Sequence, residues 1–289
     1  MKFLIENYAN YLDTQALYLN KSLSESENVQ TMLWDSASCS VYDIMDRYQP
    51  EYYITSASRL SKDFAHYVSN NRNIKLLLNV DNLTQDTITS LEKSIIDSGI
   101  ECCFFFSSNY KIKTKNIRLV NIANAHDINI NENTNSVEYN IDRGIFVNST
   151  DDLKKYSGSY HYISNNQKLK EKIDIVLPTH MLIPLYKNYK EIIFTNIEND
   201  NIPQSFFDAI MLCDKVYCEN LTKETDEMLK KFFKLGDYSF DYNSQSRLEN
   251  FAQVKAFVKE KHLPINRAKT ILSQIPKTGE NNERRYSVA

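Results

Sequence analysis

The chain has 289 residues, about twice the length of an ordinary compact domain, so two units of ordinary size are expected. Hydrophobic residues make up 42%, aromatic residues 12% and charged residues 25%, a balance that excludes a wholly disordered or fibrous chain. A formal net charge of −3 removes the signature of a nucleic-acid binder from the molecule as a whole, so a polyanion would have to meet a local patch.

The first half alternates β-type runs with amphipathic stretches, the pattern of a parallel sheet covered by helices. Strands are predicted at Lys2 to Glu6, Val29 to Trp34, Glu51 to Ser56, Ile74 to Val80, Glu101 to Phe106 and Arg118 to Ile122. Helices are predicted near 12–23, 41–48, 60–70 and 84–98. Thr84 is a side-chain cap for the last of these, with Ile88, Leu91 and Ile95 on one face. Six strands with right-handed crossovers place the ligand crevice at the strands' carboxyl ends, which brings Asn7-Tyr8-Ala9, Asp35-Ser36 and Thr55-Ser56-Ala57 together.

The polar run from Asn129 to Asn140 reads as a linker between a unit over 1–128 and another over 141–244. In the second unit, strands are predicted at Gly144 to Asn148, Tyr160 to Ser164, Ile173 to Leu177, Glu191 to Thr195 and Lys215 to Cys218. Helices fall near 166–171, 181–188, 204–212 and 223–234. Two C-terminal helices, near 245–260 and 264–275, precede a polar tail at 277–289. No apolar run approaches the roughly 20 residues of a membrane span, and Glu6 and Asn7 interrupt the apolar start, so neither a span nor a signal peptide is expected. The five cysteines (Cys39, Cys102, Cys103, Cys213, Cys218) form no CxxC pair and read as reduced thiols of a cytoplasmic protein.

The five glycines build neither GxGxxG nor GxxxxGKS, so phosphates, if bound, must sit on helix N-termini. The segment from Asp200 to Tyr217 offers one. Pro203 suits the first turn of a helix, where it has no amide hydrogen to waste, and the amides of Gln204 to Phe206 then form an anion site reinforced by the helix dipole. Asp208, one turn on, is placed to accept hydrogen bonds from a ribose. It follows Asp200 by eight residues, and this spacing resembles the acidic-x7-acidic motif in the donor domain of two-Rossmann glycosyltransferases, where glutamates usually stand at both positions.

The resemblance extends over nearly the whole chain. Leu78-Asn79-Val80-Asp81-Asn82-Leu83-Thr84-Gln85, Gly158-Ser159-Tyr160-His161-Tyr162, Ile173-Asp174-Ile175-Val176-Leu177-Pro178 and Pro203-Gln204-Ser205-Phe206-Phe207-Asp208-Ala209 are similar to segments of glycosyltransferase-like proteins of T-even-like phages, related to the CgeB-like group. The resemblance implies two Rossmann-like domains facing each other across a cleft (GT-B-like), with the C-terminal helices crossing back to the N-terminal domain. It also implies a nucleotide-sugar donor held by the C-terminal domain, and an acceptor held by the N-terminal one. Hydroxymethylated cytosine of phage DNA is the favoured acceptor; polysaccharide, lipid and protein are the alternatives. A degenerate fold of this type that binds a nucleotide or a partner without turnover is the rival from another class.

The chain contains no D-x-D, so a metal-independent enzyme with no cofactor beyond its sugar donor is expected, acting as a monomer without a membrane partner. Lys187 and Lys190 are candidates to neutralise the leaving diphosphate, or else simply a solvated face. His161, between tyrosines, is either a donor contact or a satisfied core histidine. For the base that takes the acceptor proton, His126 and Asp127 close the last strand of the first unit, and Asp35 competes with them. Asn7 and Tyr8 are candidate acceptor contacts. Lys111, Lys113 and Lys115 alternate on an extended segment where they would track DNA phosphates or guard a sheet edge. Retention and inversion both stay open on these residues.

Overall fold

The computed structural model describes residues 1–7, 14–71, 73–81, 83–107, 111–122, 141–195, 197, 202–233 and 249–275. They fall into two units, the first built from the described residues of 1–123 and 264–289 and the second from those of 124–263. The sequence calls on Tyr8, Ala9, His126, Asp127 and Asp200, on the linker from Asn129 to Asn140 and on the tail at 277–289 lie outside the described residues.

The first unit is a parallel sheet of β1 (Lys2–Asn7), β2 (Gln30–Asp35), β3 (Tyr52–Ser56), β4 (Lys75–Asn79), β5 (Cys103–Ser107) and β6 (Arg118–Asn121), in the order β2-β1-β3-β4-β5-β6. Consecutive side chains of a strand point to opposite faces, and here both faces are covered, which is why the strands read as continuous apolar runs. Phe3, Ile5, Tyr52, Ile54, Leu77 and Phe104 pack under α1 (Thr14–Ser24) and the C-terminal helix, Pro264–Gln274. Leu4, Tyr53, Leu76, Leu78 and Phe105 pack under α2 (Val41–Tyr48), α3 (Lys62–Asn70) and α4 (Gln85–Asp97). Each of these three helices starts on a hydroxyl cap. Ser40 accepts from the Asp43 amide at 3.2 Å, Ser61 from Phe64 at 3.1 Å, and the predicted Thr84 from Thr87 at 3.3 Å.

The second unit is a parallel sheet of β7 (Ile141–Phe146), β8 (Tyr160–Ser164), β9 (Ile175–Val176), β10 (Tyr189–Phe194) and β11 (Lys215–Cys218), in the order β11-β10-β7-β8-β9. One face is buried under α5 (Thr179–Tyr186), α6 (Gln204–Leu212), α7 (Lys223–Phe233) and α8 (Glu249–Lys261) through Phe146, Ile163, Ile192, Phe194, Phe206 and Phe207. The other carries Ile145, Val147 and Ile193 with half-buried Tyr156, Tyr160 and Tyr162. Gly144 lies in β7 because a Cβ there would stand 2.5 Å from Ile192 Cδ1 and 3.2 Å from Tyr189 Cδ2. The helix expected near 166–171 is instead a single 3-10 turn, Gln167–Leu169, which the Asn166 side chain caps through the Lys168 amide at 3.1 Å. The last helix of the chain, α9 (Pro264–Gln274), returns to the first unit and packs along α1.

All five cysteines are free thiols, with Cys103, Cys213 and Cys218 buried. Among the described residues no helix is long and apolar enough to cross a membrane.

Candidate functional site

In the second unit the chain runs outward from β7 to β8 and β9, then returns to the other side of β7 as β10. The border of β7 and β10 is therefore the topological switch point, and ligands of open α/β sheets bind beyond the carboxyl ends of the strands at such a border. Thr195, just past β10, is fully buried and clasps the two strands by donating its hydroxyl to the Phe146 carbonyl at 3.1 Å.

α6 begins at this edge, because it follows β10 and runs back along the sheet. Pro203 is its N-cap, extended at φ −67° and ψ 152°, and supplies no side-chain acceptor to the first turn. A proline cap thus gives the first turn of a nine-residue helix no cap oxygen of its own, and the Phe206 amide donates to the Pro203 carbonyl at 3.0 Å. The buried layer beneath is polar: Gln204 donates Nε2–H to Asp208 Oδ1 at 2.9 Å, and Ser205 and Asp208 are both buried. Tyr186 completes the layer. Burial pushes its phenol well up, and the Asp208 charge adds to that rise.

Beyond β11 stands a second polar group that the sequence reading missed. Glu219, buried, accepts from Lys154 Nζ at 3.0 Å and from the Tyr156 hydroxyl at 2.8 Å, and its own amide donates to the Phe194 carbonyl at 2.8 Å. Asn220 follows in the left-handed region at φ 56°, donates Nδ2–H to the Thr195 carbonyl at 3.1 Å and accepts from Lys154 at 3.1 Å. Burial, then the Glu219 hydrogen bond and charge, push the Tyr156 phenol far up, so it stays a donor. The rule that residues just past a predicted strand face the crevice would have found both, since Lys215 to Cys218 is read correctly as a strand.

The remaining sequence candidates are dispersed. Asp208 is 0% exposed, so its carboxylate faces the helix interior beside Gln204 and Tyr186 and not the open edge where a ribose would lie. Lys187 ends α5, and Lys190 is the second residue of β10, both at the amino end of the strand. At about 3.3 Å per residue, Lys190 starts roughly 13 Å below the end of β10, which sets it apart from the start of α6. Its ammonium instead pairs with Asp142 Oδ1 at 2.8 Å, and this bond holds the Asp142 carboxyl below its usual range. His161 also turns toward the amino end, with Nδ1 3.2 Å from the Tyr189 hydroxyl. Lys190→Ala is accordingly expected to leave nucleotide affinity within about twofold of wild type by calorimetric titration; a loss of about tenfold would return the lysine to the donor site.

In the first unit, Asn7 and Asp35 are register partners at the carboxyl ends of β1 and β2. Asp35 is exposed and accepts from the Ala37 amide at 3.0 Å, closing a turn. Lys111, Lys113 and Lys115 are all exposed, but their segment joins no sheet. Gln85 brackets Lys113, accepting its amide at 3.0 Å and donating to its carbonyl at 2.7 Å, while Glu92 accepts the amides of Lys115, Asn116 and Ile117. Side chains of α4 thus take the backbone groups that a strand ladder would use.

Two doubly wound parallel sheets with helices between their strands define an α/β protein of the two-Rossmann type. No family model and no curated protein matches the chain. Solved structures with a similar fold include HepE of Anabaena in complex with UDP and glucose, at 11% identity and a TM-score of 0.49, with 95% of each chain covered. The UDP-GlcNAc 2-epimerase from Methanocaldococcus jannaschii is 12% identical with a TM-score of 0.47, covering 94% of this chain and 99% of that one. MnaA of S. aureus, in a co-structure with UDP, is 9% identical with a TM-score of 0.43, covering 92% and 91%.

Proposed function

We propose that the protein is a glycosyltransferase that moves a sugar from a nucleoside-diphosphate sugar to a hydroxyl acceptor, with the donor held by the second unit. The observation that carries this reading is the start of α6, a proline-capped helix N-terminus at the carboxyl end of β10 beside a switch point. Its first-turn amides and dipole suit a diphosphate, because partial positive charge at a helix start stabilises an anion without a lysine or a glycine-rich loop. As the glycosidic bond breaks, negative charge grows on the leaving diphosphate, and the same amides stabilise it more than they do the ground state. Glu219 and Asn220, fixed by Lys154 and Thr195, line the same edge and suit recognition of the nucleoside.

The acceptor belongs to the first unit in this reading. His126 or Asp127 takes the acceptor proton, with Asp35, exposed beyond β2, as the competing base. Hydroxymethylated cytosine in duplex DNA is the favoured acceptor, supported by the resemblance in sequence and by Lys111, Lys113 and Lys115, exposed on a segment that Gln85 and Glu92 hold by its backbone. The full burial of Asp208 favours a second reading, nucleotide or partner binding without turnover.

Release of nucleoside diphosphate from a panel of sugar donors, with and without hydroxymethylated duplex DNA, separates the two. The transferase reading expects release with one donor that rises when the acceptor is added and a sugar mass on the acceptor. Nucleotide binding without release, across all donors and with DNA, polysaccharide, lipid and protein acceptors, supports the binding protein.

A further inference from the structure

The first unit has a switch point of its own. Its chain steps from β1 to β2 on one side and continues as β3 to β6 on the other, so the border of β1 and β3 opens at their carboxyl ends. Glu6, the penultimate residue of β1, sits there at 3% exposure, two residues on from Leu4, whose register partner on β3 is Tyr53. Its Oε2 accepts the Tyr53 hydroxyl at 2.5 Å and also the Thr55 hydroxyl. Its Oε1 lies 3.6 Å from Nε of Arg59, in the turn after β3. Arg59 is 46% exposed, and its Nη2 reaches the Ser36 hydroxyl, past the end of β2, at 3.4 Å. The guanidinium therefore lies across the ends of three adjacent strands, with the paired hydroxyls of Ser56 and Ser58, 2.9 Å apart, on the same turn.

A buried carboxylate is costly to the fold, and an apolar residue in this sheet would stabilise it as well or better. The distances show what Glu6 does instead: its short bonds go to two neutral hydroxyls that fix its rotamer, and the ion pair is the long contact. Such a carboxylate orients the guanidinium from its Nε edge. Arginine is always charged and presents a planar fork matched to phosphate oxygens.

We propose that the carboxyl edge of β1 and β3 is a phosphate-binding site of the first unit, with Arg59 as the contact residue and Glu6 as its positioning residue. Hydroxyls of Ser36, Ser56 and Ser58 supply further donors. Asp35, exposed on the neighbouring turn, opposes an anion at this edge, which gives the proposal a second sign to test. The site is built from residues of the first unit alone and does not depend on sugar transfer.

The test is titration of the full-length protein with inorganic phosphate, followed through the Arg59 Nε–H resonance. Phosphate should move that resonance, Arg59→Gln should lower the affinity about tenfold or more, Arg59→Lys should not restore it, and Asp35→Asn should tighten it. In Glu6→Gln the Nε–H should exchange with water about ten times faster, a change that loss of packing elsewhere would not produce. A nucleoside 5′-monophosphate and a dinucleotide then distinguish a phosphomonoester ligand from a phosphodiester chain, according to which displaces phosphate. An Arg59 resonance unmoved by phosphate at tens of millimolar, or full binding retained in Arg59→Lys, would overturn the proposal.

Discussion

Pro203→Asp should bind nucleoside diphosphates about a hundredfold more weakly than wild type while unfolding at the same or a higher temperature. The proline is extended at the N-cap of α6, a conformation aspartate adopts without strain, and it offers no side-chain oxygen to the first turn. An aspartate there accepts from those amides and interacts with the helix dipole, together about 1 to 2 kcal/mol. Loss of the proline's restriction of the unfolded chain offsets about 0.4 to 1 kcal/mol of that. The same carboxylate occupies the amides that a diphosphate needs and repels its charge; about 2.7 kcal/mol corresponds to the hundredfold loss. Pro203→Ala, which adds no acceptor, should keep affinity within about twofold. Calorimetric titration beside thermal unfolding checks the pair, and opposite signs on stability and affinity are something a folding defect cannot produce.

Glu92→Ala is expected to cost about 3 to 5 kcal/mol. The carboxylate is 3% exposed on α4, and Oε1 accepts the amides of Lys115, Asn116 and Ile117 at 3.0, 3.1 and 3.1 Å. Truncation leaves three backbone donors without their acceptor, that of Ile117 buried and those of Lys115 and Asn116 part-buried; a buried donor costs about 1 to 3 kcal/mol, and the part-buried ones less as they relax toward water. Glu92→Gln keeps one oxygen but loses the charge, so about 1 to 2 kcal/mol is expected for it. Urea unfolding measures both. An alanine variant within about 1 kcal/mol of wild type would show that the 111–117 segment does not depend on α4 for its placement.

The predicted strands Lys2 to Glu6, Glu51 to Ser56, Ile74 to Val80 and Glu101 to Phe106 illustrate how far strand positions were legible: apolar runs buried on both faces announce themselves, and so does the Thr84 cap. What depends on height along a strand was not legible. Lys187 and Lys190 stand close in sequence to α6, yet β10 carries the chain the length of the sheet between them and that helix. Contacts between distant segments were hidden for a related reason. Glu6 reads as the polar end of the first predicted strand, and only folding brings Tyr53, Thr55 and Arg59 onto it from a segment about fifty residues on. The lysine alternation at 111–115 predicted the exposure correctly but not the backbone, because Gln85 and Glu92 replace the ladder that alternation suggests.

The central claim is that the second unit holds a nucleoside diphosphate at the start of α6. The direct measurement is the melting temperature of the full-length protein with each nucleoside diphosphate and its sugars, since a ligand that binds only the native state raises it. A selective rise of several degrees with one base, absent in Pro203→Asp, is the result the account predicts. No rise with any nucleotide at millimolar concentration would contradict it.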